Sequence, residues 1–108
     1  MIGIDIINID RIKKSLKSAV FAKKTFTPAE ILYAESKADS AQTYAGLFAA
    51  KEATVKALGT GFTGLNLEQI EIKHSAQGQP FAVVDSKEIK ISISHDSGFA
   101  VAVAIVST

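Results

Sequence analysis

At 108 residues, with 47% apolar and 21% charged side chains, the chain has the make-up of one folded domain, 1–108, and excludes a disordered tail or a collagen-like strand. It contains no cysteine, which removes disulfides, zinc-thiolate sites and thiol nucleophiles. Twelve Lys and Arg against eleven Asp and Glu leave a formal charge of +1, so a charged partner must be read from the distribution of charge and not from its sum.

The first residues, Met1-Ile2-Gly3-Ile4-Asp5, lack the basic region and apolar run of a signal peptide. No apolar stretch reaches the roughly 18 to 20 residues that span a bilayer, so the expectation is a cytoplasmic protein with no membrane partner. Residues 2 to 7 alternate, with Ile2, Ile4 and Ile6 on one face and Gly3, Asp5 and Ile7 on the other, which predicts a strand with Asp5 turned away from the isoleucines. Asn8 is placed to cap a helix in which Ile9, Ile12, Leu16 and Val20 recur at helical spacing. Thr27-Pro28-Ala29-Glu30 is a capping box with proline at the first helical position and predicts a short second helix, broken at Ala38-Asp39-Ser40.

A third helix is expected from about Ala41 to Leu58, with Tyr44, Phe48, Val55 and Leu58 as its apolar stripe and Gly59 as a left-handed cap. Beyond it the period changes to 2. Strands are expected at 67–74 and 81–85 about a turn at Gly78-Gln79-Pro80, then along Ile89, Ile91 and Ile93, and from Phe99 to Ile105. His95-Asp96-Ser97-Gly98 makes a hairpin connection between the last two strands. One strand, then helices, then hairpin-linked strands give an α+β domain with helices on an antiparallel sheet. The alanines of the last strand leave room for a helix, or another subunit, to lie close.

Five groups of residues stand out for chemistry. Glu52 and Lys56 lie one turn apart on an alanine-lined helix face, either as a surface ion pair or beside a ligand. Asp5 is either a solvated strand-end carboxylate or, with Glu52, half of a hard-oxygen site for Mg²⁺, which takes one or two protein carboxylates together with phosphates and water. Gly59-Thr60-Gly61-Phe62-Thr63-Gly64 spells a dinucleotide fingerprint but closes a helix where that motif must open one. What remains is a glycine loop whose amides approach a phosphate, or a plain helix stop. Ser94-His95-Asp96 are adjacent, so they do not make a hydrolase triad, although His95 or Asp96 is suited to handle a proton. Finally, six basic residues and no acid fall between Arg11 and Lys24: Arg11, Lys13, Lys14, Lys17, Lys23 and Lys24. That cationic face suits an acidic protein, a phosphate-rich ligand or nucleic acid, or is simply solvated.

Taken together, Gly3-Ile4-Asp5-Ile6 with Arg11-Ile12, Phe26-Thr27-Pro28-Ala29-Glu30, Phe48-Ala49-Ala50-Lys51-Glu52-Ala53 through Lys56-Ala57-Leu58-Gly59-Thr60-Gly61, and Ile91-Ser92-Ile93-Ser94-His95 resemble the bacterial holo-acyl-carrier-protein synthases, the small class of phosphopantetheinyl transferases. The resemblance runs from Met1 to about Ile105. It implies transfer of 4'-phosphopantetheine from coenzyme A to a serine of apo-acyl carrier protein, in fatty acid biosynthesis, with adenosine 3',5'-bisphosphate released. It also implies a homotrimer with active sites between subunits and no nucleic acid partner. By the same resemblance Asp5 and Glu52 hold Mg²⁺, and Lys56 neutralises phosphate oxygens. Gly59, Thr60 and Gly61 line the coenzyme pocket, with Ser94 and His95 closing it from a neighbouring chain. For the general base, a metal-bound water, Glu52 and the His95-Asp96 pair all stay open. Arg11, Lys14 and Lys17 are the expected docking face for the acidic carrier protein. One departure is Leu47, where many relatives carry arginine.

Overall fold

In the computed structural model, which describes residues 1–59 and 64–107, the first strand and the last lie side by side. β1 (Ile2–Asn8) pairs antiparallel with β5 (Phe99–Ile105), from Ile2 opposite Ile105 to Asn8 opposite Phe99. β2 (Glu71–His74), β3 (Pro80–Val84) and β4 (Lys87–Asp96) complete an antiparallel sheet of order β1-β5-β4-β3-β2. Among the described residues four α-helices stand between β1 and β2: α1 (Ile9–Ser15), α2 (Ala19–Thr25), α3 (Pro28–Glu35) and α4 (Ser40–Leu58). The expected α+β class, helices on an antiparallel sheet, is what the chain adopts.

The core lies between the sheet and α4, and it is built largely from alanine. Ala45, Ala49, Ala53 and Ala57 of the helix and Ala100, Ala102 and Ala104 of β5 are fully buried. Spacing of four along α4 and of two along β5 puts each set on one face. Small side chains bring the two backbones close, and Gly3 of β1 completes the fit: a Cβ there would overlap the Ala53 carbonyl and stand 2.6 Å from the Ala57 nitrogen. The expected stripe is therefore only partly right. Tyr44 is buried, but Phe48, Val55 and Leu58 are half-buried at the margin of the core.

The outer face of the sheet is uncovered. Ile2, Ile4 and Ile6 are 71%, 58% and 61% exposed, beside Phe99 and Ile105 of β5 at 42% and 45%, so the isoleucine side of β1 faces away from the helices. Gly3, Asp5 and Ile7 point toward α4.

The basic segment departs from the single helix suggested by its periodicity. Backbone bonds from Lys17 to Lys14 and from Ser18 to Ser15 tighten the end of α1. The Ser18 hydroxyl then accepts from the Phe21 amide at 3.3 Å and starts α2 afresh. Val20, placed on the apolar stripe by spacing, is 61% exposed.

Other local signals hold. Thr27 and Glu30 form the reciprocal capping box, at 3.2 and 2.8 Å. Asp39 caps α4 through the Gln42 amide. Ser97 and Gly98, with φ of 51° and 83°, make the two-residue mirror-image turn joining β4 to β5. Residues 67–74 begin as a 3₁₀ turn (Leu67–Gln69) before β2. Gly59 has the positive φ expected of a cap, 76°, but with ψ of −165° it leaves the helix extended rather than left-handed.

Candidate active site

Asp5 sits in the middle of β1, on the helix side of the sheet's edge strand, and is 16% exposed. The close packing at Gly3 and Ala53 carries it up against the last turns of α4, where Lys56 reaches over. The Lys56 Nζ lies 3.1 Å from Asp5 Oδ1 and 3.0 Å from the Ile4 carbonyl oxygen. Lys56 therefore pairs across elements with Asp5, not along its own helix with Glu52. Ile4, Asp5, Ile6, Lys56 and Val101 line a cavity of about 390 Å³ that wraps the β1 edge from the helix side to the bare face.

Glu52, one turn before Lys56, is half-buried. Burial pushes its carboxyl above the ordinary carboxylate range, the nearby Asp5 charge pushes the same way, and Lys56 opposes both. Two acids distant in sequence thus share one electrostatic environment. No group of three His, Asp or Glu side chains able to hold a metal occurs among the described residues. Two carboxylates suit a hard cation that keeps most of its coordination for water and phosphate oxygens, as Mg²⁺ does, and do not make an all-protein cage.

A second cavity, of about 220 Å³, opens on the other side of α4. His95, Gln42, Thr43, Tyr33, His74 and Pro80 are among its walls. His95 Nε2 lies 3.2 Å from Gln42 Nε2. The His74 ring stacks on Tyr33 at 4.1 Å between centroids, with Lys37 4.7 Å from the centre of the Tyr33 ring. Burial, then the Lys37 charge, lowers the His74 pKa. Leu47, the departure from the resemblance noted above, is 2% exposed and packs as a wall of this cavity, so no cation stands at that position.

The two cavities separate the expected site residues. Asp5, Glu52 and Lys56 come together, whereas His95 belongs to the second cavity. The His95-Asp96 pair does not form, because successive strand residues point to opposite faces. His95 aligns with Ala100 on the helix side, Asp96 lies opposite Phe99 on the bare side, and Asp96 Oδ1 instead accepts from Ser97 at 3.3 Å. Ser94, opposite Val101, also lies on the bare side, so Ser94 and His95 do not line one pocket of the same chain. Gly59 follows α4 directly, but Thr60 and Gly61 lie outside the described residues. Arg11, Lys14 and Lys17 are all exposed, as are Lys13, Lys23 and Lys24.

Sequence reading missed the ion pair beside this site. Lys51, fully buried, lies 2.6 Å from Glu30 Oε1 and donates to the carbonyls of Thr25 and Leu67 at 2.8 and 2.9 Å. Glu30 also accepts from the amides of Thr27 and Ile72. One pair thereby ties α2, α3, the 3₁₀ turn and β2 to α4 immediately before Glu52. Desolvation lowers the Lys51 pKa, and the Glu30 charge opposes it. The available signal is a lysine directly after Ala49-Ala50, within the most buried stretch of the helix.

The profile of the 4'-phosphopantetheinyl transferase superfamily matches residues 1–104. The holo-[acyl-carrier-protein] synthase of Fusobacterium nucleatum is 38% identical, across 97% of this chain and 96% of that one. Among solved structures, the holo-[acyl-carrier-protein] synthase of Helicobacter pylori, in complex with coenzyme A, superposes with a TM-score of 0.88 at 37% identity, covering 99% of this chain and 100% of the other. That of Bacillus anthracis, in complex with CoA (3',5'-ADP), gives 0.83 at 36% identity, covering 95% and 91%.

Proposed function

The chain belongs to the 4'-phosphopantetheinyl transferase superfamily, and from that premise we propose how its own residues carry the reaction. It is a holo-[acyl-carrier-protein] synthase, transferring 4'-phosphopantetheine from coenzyme A to apo-acyl carrier protein. The observation that carries the assignment of residues is the meeting of Asp5, Glu52 and Lys56 at the β1 edge.

The acceptor is a serine hydroxyl of the carrier protein. Its oxygen attacks the phosphorus that bears the pantetheine arm, the diphosphate P–O bond breaks, and adenosine 3',5'-bisphosphate departs with the bridging oxygen. The groups that meet are anionic on both sides of the scissile bond, so the demand is for positive charge and alignment more than for a protein nucleophile. Asp5 and Glu52 hold Mg²⁺, which supplies charge neutralisation to the diphosphate when bound. Lys56 binds the phosphate oxygens and stabilises charge developing on the leaving group. The serine proton passes to a carboxylate of this site or to a water that it holds.

His95 lies across α4 from that centre and serves the site of a neighbouring copy, as do Ser94 on the bare side and the walls of the second cavity. A contiguous apolar patch on β1 and β5 supports self-association, and a homotrimer with interface active sites brings the two cavity types together. Gly59 and, beyond the described residues, Thr60 and Gly61 border the coenzyme. Arg11, Lys14 and Lys17 dock the acidic carrier protein. No helix among the described residues is long and apolar enough to cross a membrane. The cytoplasm, where both substrates are handled, is the compartment the reaction needs.

The test is the intact mass of an apo-carrier protein incubated with this protein, coenzyme A and Mg²⁺. The phosphopantetheine increment is expected with the parent and absent with Asp5→Ala or Glu52→Ala, each retaining the parent's circular dichroism. An increment at the parent rate in both variants would remove the two carboxylates from the mechanism.

A further inference from the structure

We propose that Lys56 acts as a resident counter-ion that competes with a divalent cation for Asp5 and gives way only when coenzyme phosphates draw its ammonium off, so that metal and coenzyme bind cooperatively. The proposal rests on the two-carboxylate reading above and adds an order to it.

Lys56 Nζ is within hydrogen-bond distance of both Asp5 Oδ1 and the Ile4 carbonyl, at 3.1 and 3.0 Å, on the wall of the 390 Å³ cavity at the β1 edge. A cation approaching Asp5 from that cavity meets an ammonium already bonded to the carboxylate. Asp5 and Glu52 together carry two negative charges, and Lys56 cancels one. A divalent ion arriving alone therefore has less charge to bind and a like charge to approach. The Lys56 side chain is 55% exposed, and ion pairs this open are weak and quickly exchanged. A diphosphate offers it a partner of greater charge than one carboxylate. Once Lys56 turns to phosphate, both Asp5 and Glu52 would be available to hold the cation, which would neutralise charge on the same phosphates. Coupling of this kind is reciprocal: by whatever factor coenzyme A tightens the metal, the metal tightens coenzyme A.

The experiment is a titration with Mn²⁺ read by electron paramagnetic resonance, on the intact protein without carrier protein, so that no turnover is involved. Signal loss caused by coenzyme A alone is measured with Asp5→Asn/Glu52→Gln and subtracted. The parent is expected to bind Mn²⁺ weakly by itself and about tenfold tighter with coenzyme A. Lys56→Met is expected to bind Mn²⁺ by itself about tenfold tighter than the parent, the scale on which one neighbouring charge shifts a binding equilibrium at this range, and to gain less from coenzyme A. Lys56→Arg, which keeps the charge, is expected to stay nearer the parent than Lys56→Met does. Equal Mn²⁺ affinity of free parent and free Lys56→Met would overturn the competition while leaving the metal site standing. If the parent with coenzyme A held no more Mn²⁺ than the double variant, the metal site itself would fall, and the competition with it.

Discussion

Replacing Gly3 by alanine adds one methyl group at the tightest point between the sheet and α4. The new carbon would overlap the Ala53 carbonyl and stand 2.6 Å from the Ala57 nitrogen, where an ordinary contact begins at 3.4 Å. Both obstacles are helix backbone, with no rotamer to turn aside, and the carbonyl oxygen is the nearer, so β1 and α4 must part by more than the roughly 0.8 Å that the nitrogen alone demands. A gap of about 0.5 to 1 Å forfeits a quarter to a half of the dispersion energy of the atoms facing it. Here those atoms belong to the packed rows Ala49, Ala53 and Ala57 and Ala100, Ala102 and Ala104. Overpacking typically costs about 1 to 3 kcal/mol, and a backbone obstacle places Gly3→Ala at the upper end. For a chain of this size about 3 kcal/mol lowers Tm by roughly 12 to 24 °C. Because Asp5 and Lys56 ride on the two elements being separated, kcat/KM should also fall at temperatures where the variant is fully folded. Thermal unfolding followed by circular dichroism, with turnover measured well below the transition, reads both effects. Gly46→Ala is the internal control. Its Cβ would meet only the Ile93 side chain at 3.2 Å, and alanine improves a helix interior by about 1 kcal/mol, so Tm should move by only a few degrees. If Gly3→Ala melted within 3 °C of the parent, the argument that backbone contact sets the β1–α4 distance would be wrong.

Other consequences are open to direct measurement. Lys51→Met strands the buried Glu30 carboxylate and should cost about 3 to 5 kcal/mol in urea unfolding; a loss below about 1 kcal/mol would mean that Glu30 takes up a proton cheaply. Glu52 binds its proton more tightly folded than unfolded, so its contribution to stability is present at acid pH and disappears as pH rises through the folded value. Glu52→Gln should accordingly melt above the parent near neutral pH, with the difference closing toward about pH 4; a constant difference across that range would contradict the assignment. Reversing Lys14 and Lys17 to glutamate should raise KM for carrier protein about fivefold or more at low salt, converging with the parent as salt screens the contact. An unchanged KM would remove these residues from the docking face. Ile2→Glu with Ile105→Glu sets like charges directly opposite each other on the bare sheet face. Sedimentation velocity is expected to report an assembly for the parent, as proposed above, and single chains for this variant.

Local chemistry was the most readable part of this chain. The Thr27 capping box, the break expected at Ala38-Asp39-Ser40 and the hairpin connection expected at His95–Gly98 rest on residues within four positions of one another; the box appears as expected, the helix stops earlier, at Glu35, with α4 starting at Ser40, and the connection narrows to Ser97 and Gly98. Periodicity was less reliable where two explanations share a spacing. Ile9, Ile12, Leu16 and Val20 satisfy a helix of any length, but the Ser18 hydroxyl decides that there are two. In α4 spacing puts Tyr44, Phe48, Val55 and Leu58 on the core face, whereas contact with a flat alanine strand draws in Ala45, Ala49, Ala53 and Ala57. The convergence of Asp5 with Glu52 and Lys56 was legible as a requirement of the chemistry, since an aspartate inside a strand needs a cation. Its partner, however, is set by a helix–sheet contact spanning some fifty residues, which no local pattern encodes. The Glu30–Lys51 pair escaped because Glu30 already had a sufficient local explanation as a cap.

The pairing of β1 with β5 also fixes when this protein can finish folding. Among the described residues β1 has a single neighbour in the sheet, and Met1 and Val106 are stitched together by bonds of 2.9 and 3.1 Å. During synthesis β1 has nothing to pair with until residues 99–105 emerge. Until then Ile2, Ile4 and Ile6 travel on the nascent chain without shelter, and the carboxylate between them has no site to belong to. Closure of the sheet and assembly of the reaction centre are thus one event, dominated by the slowest kind of contact a small domain makes.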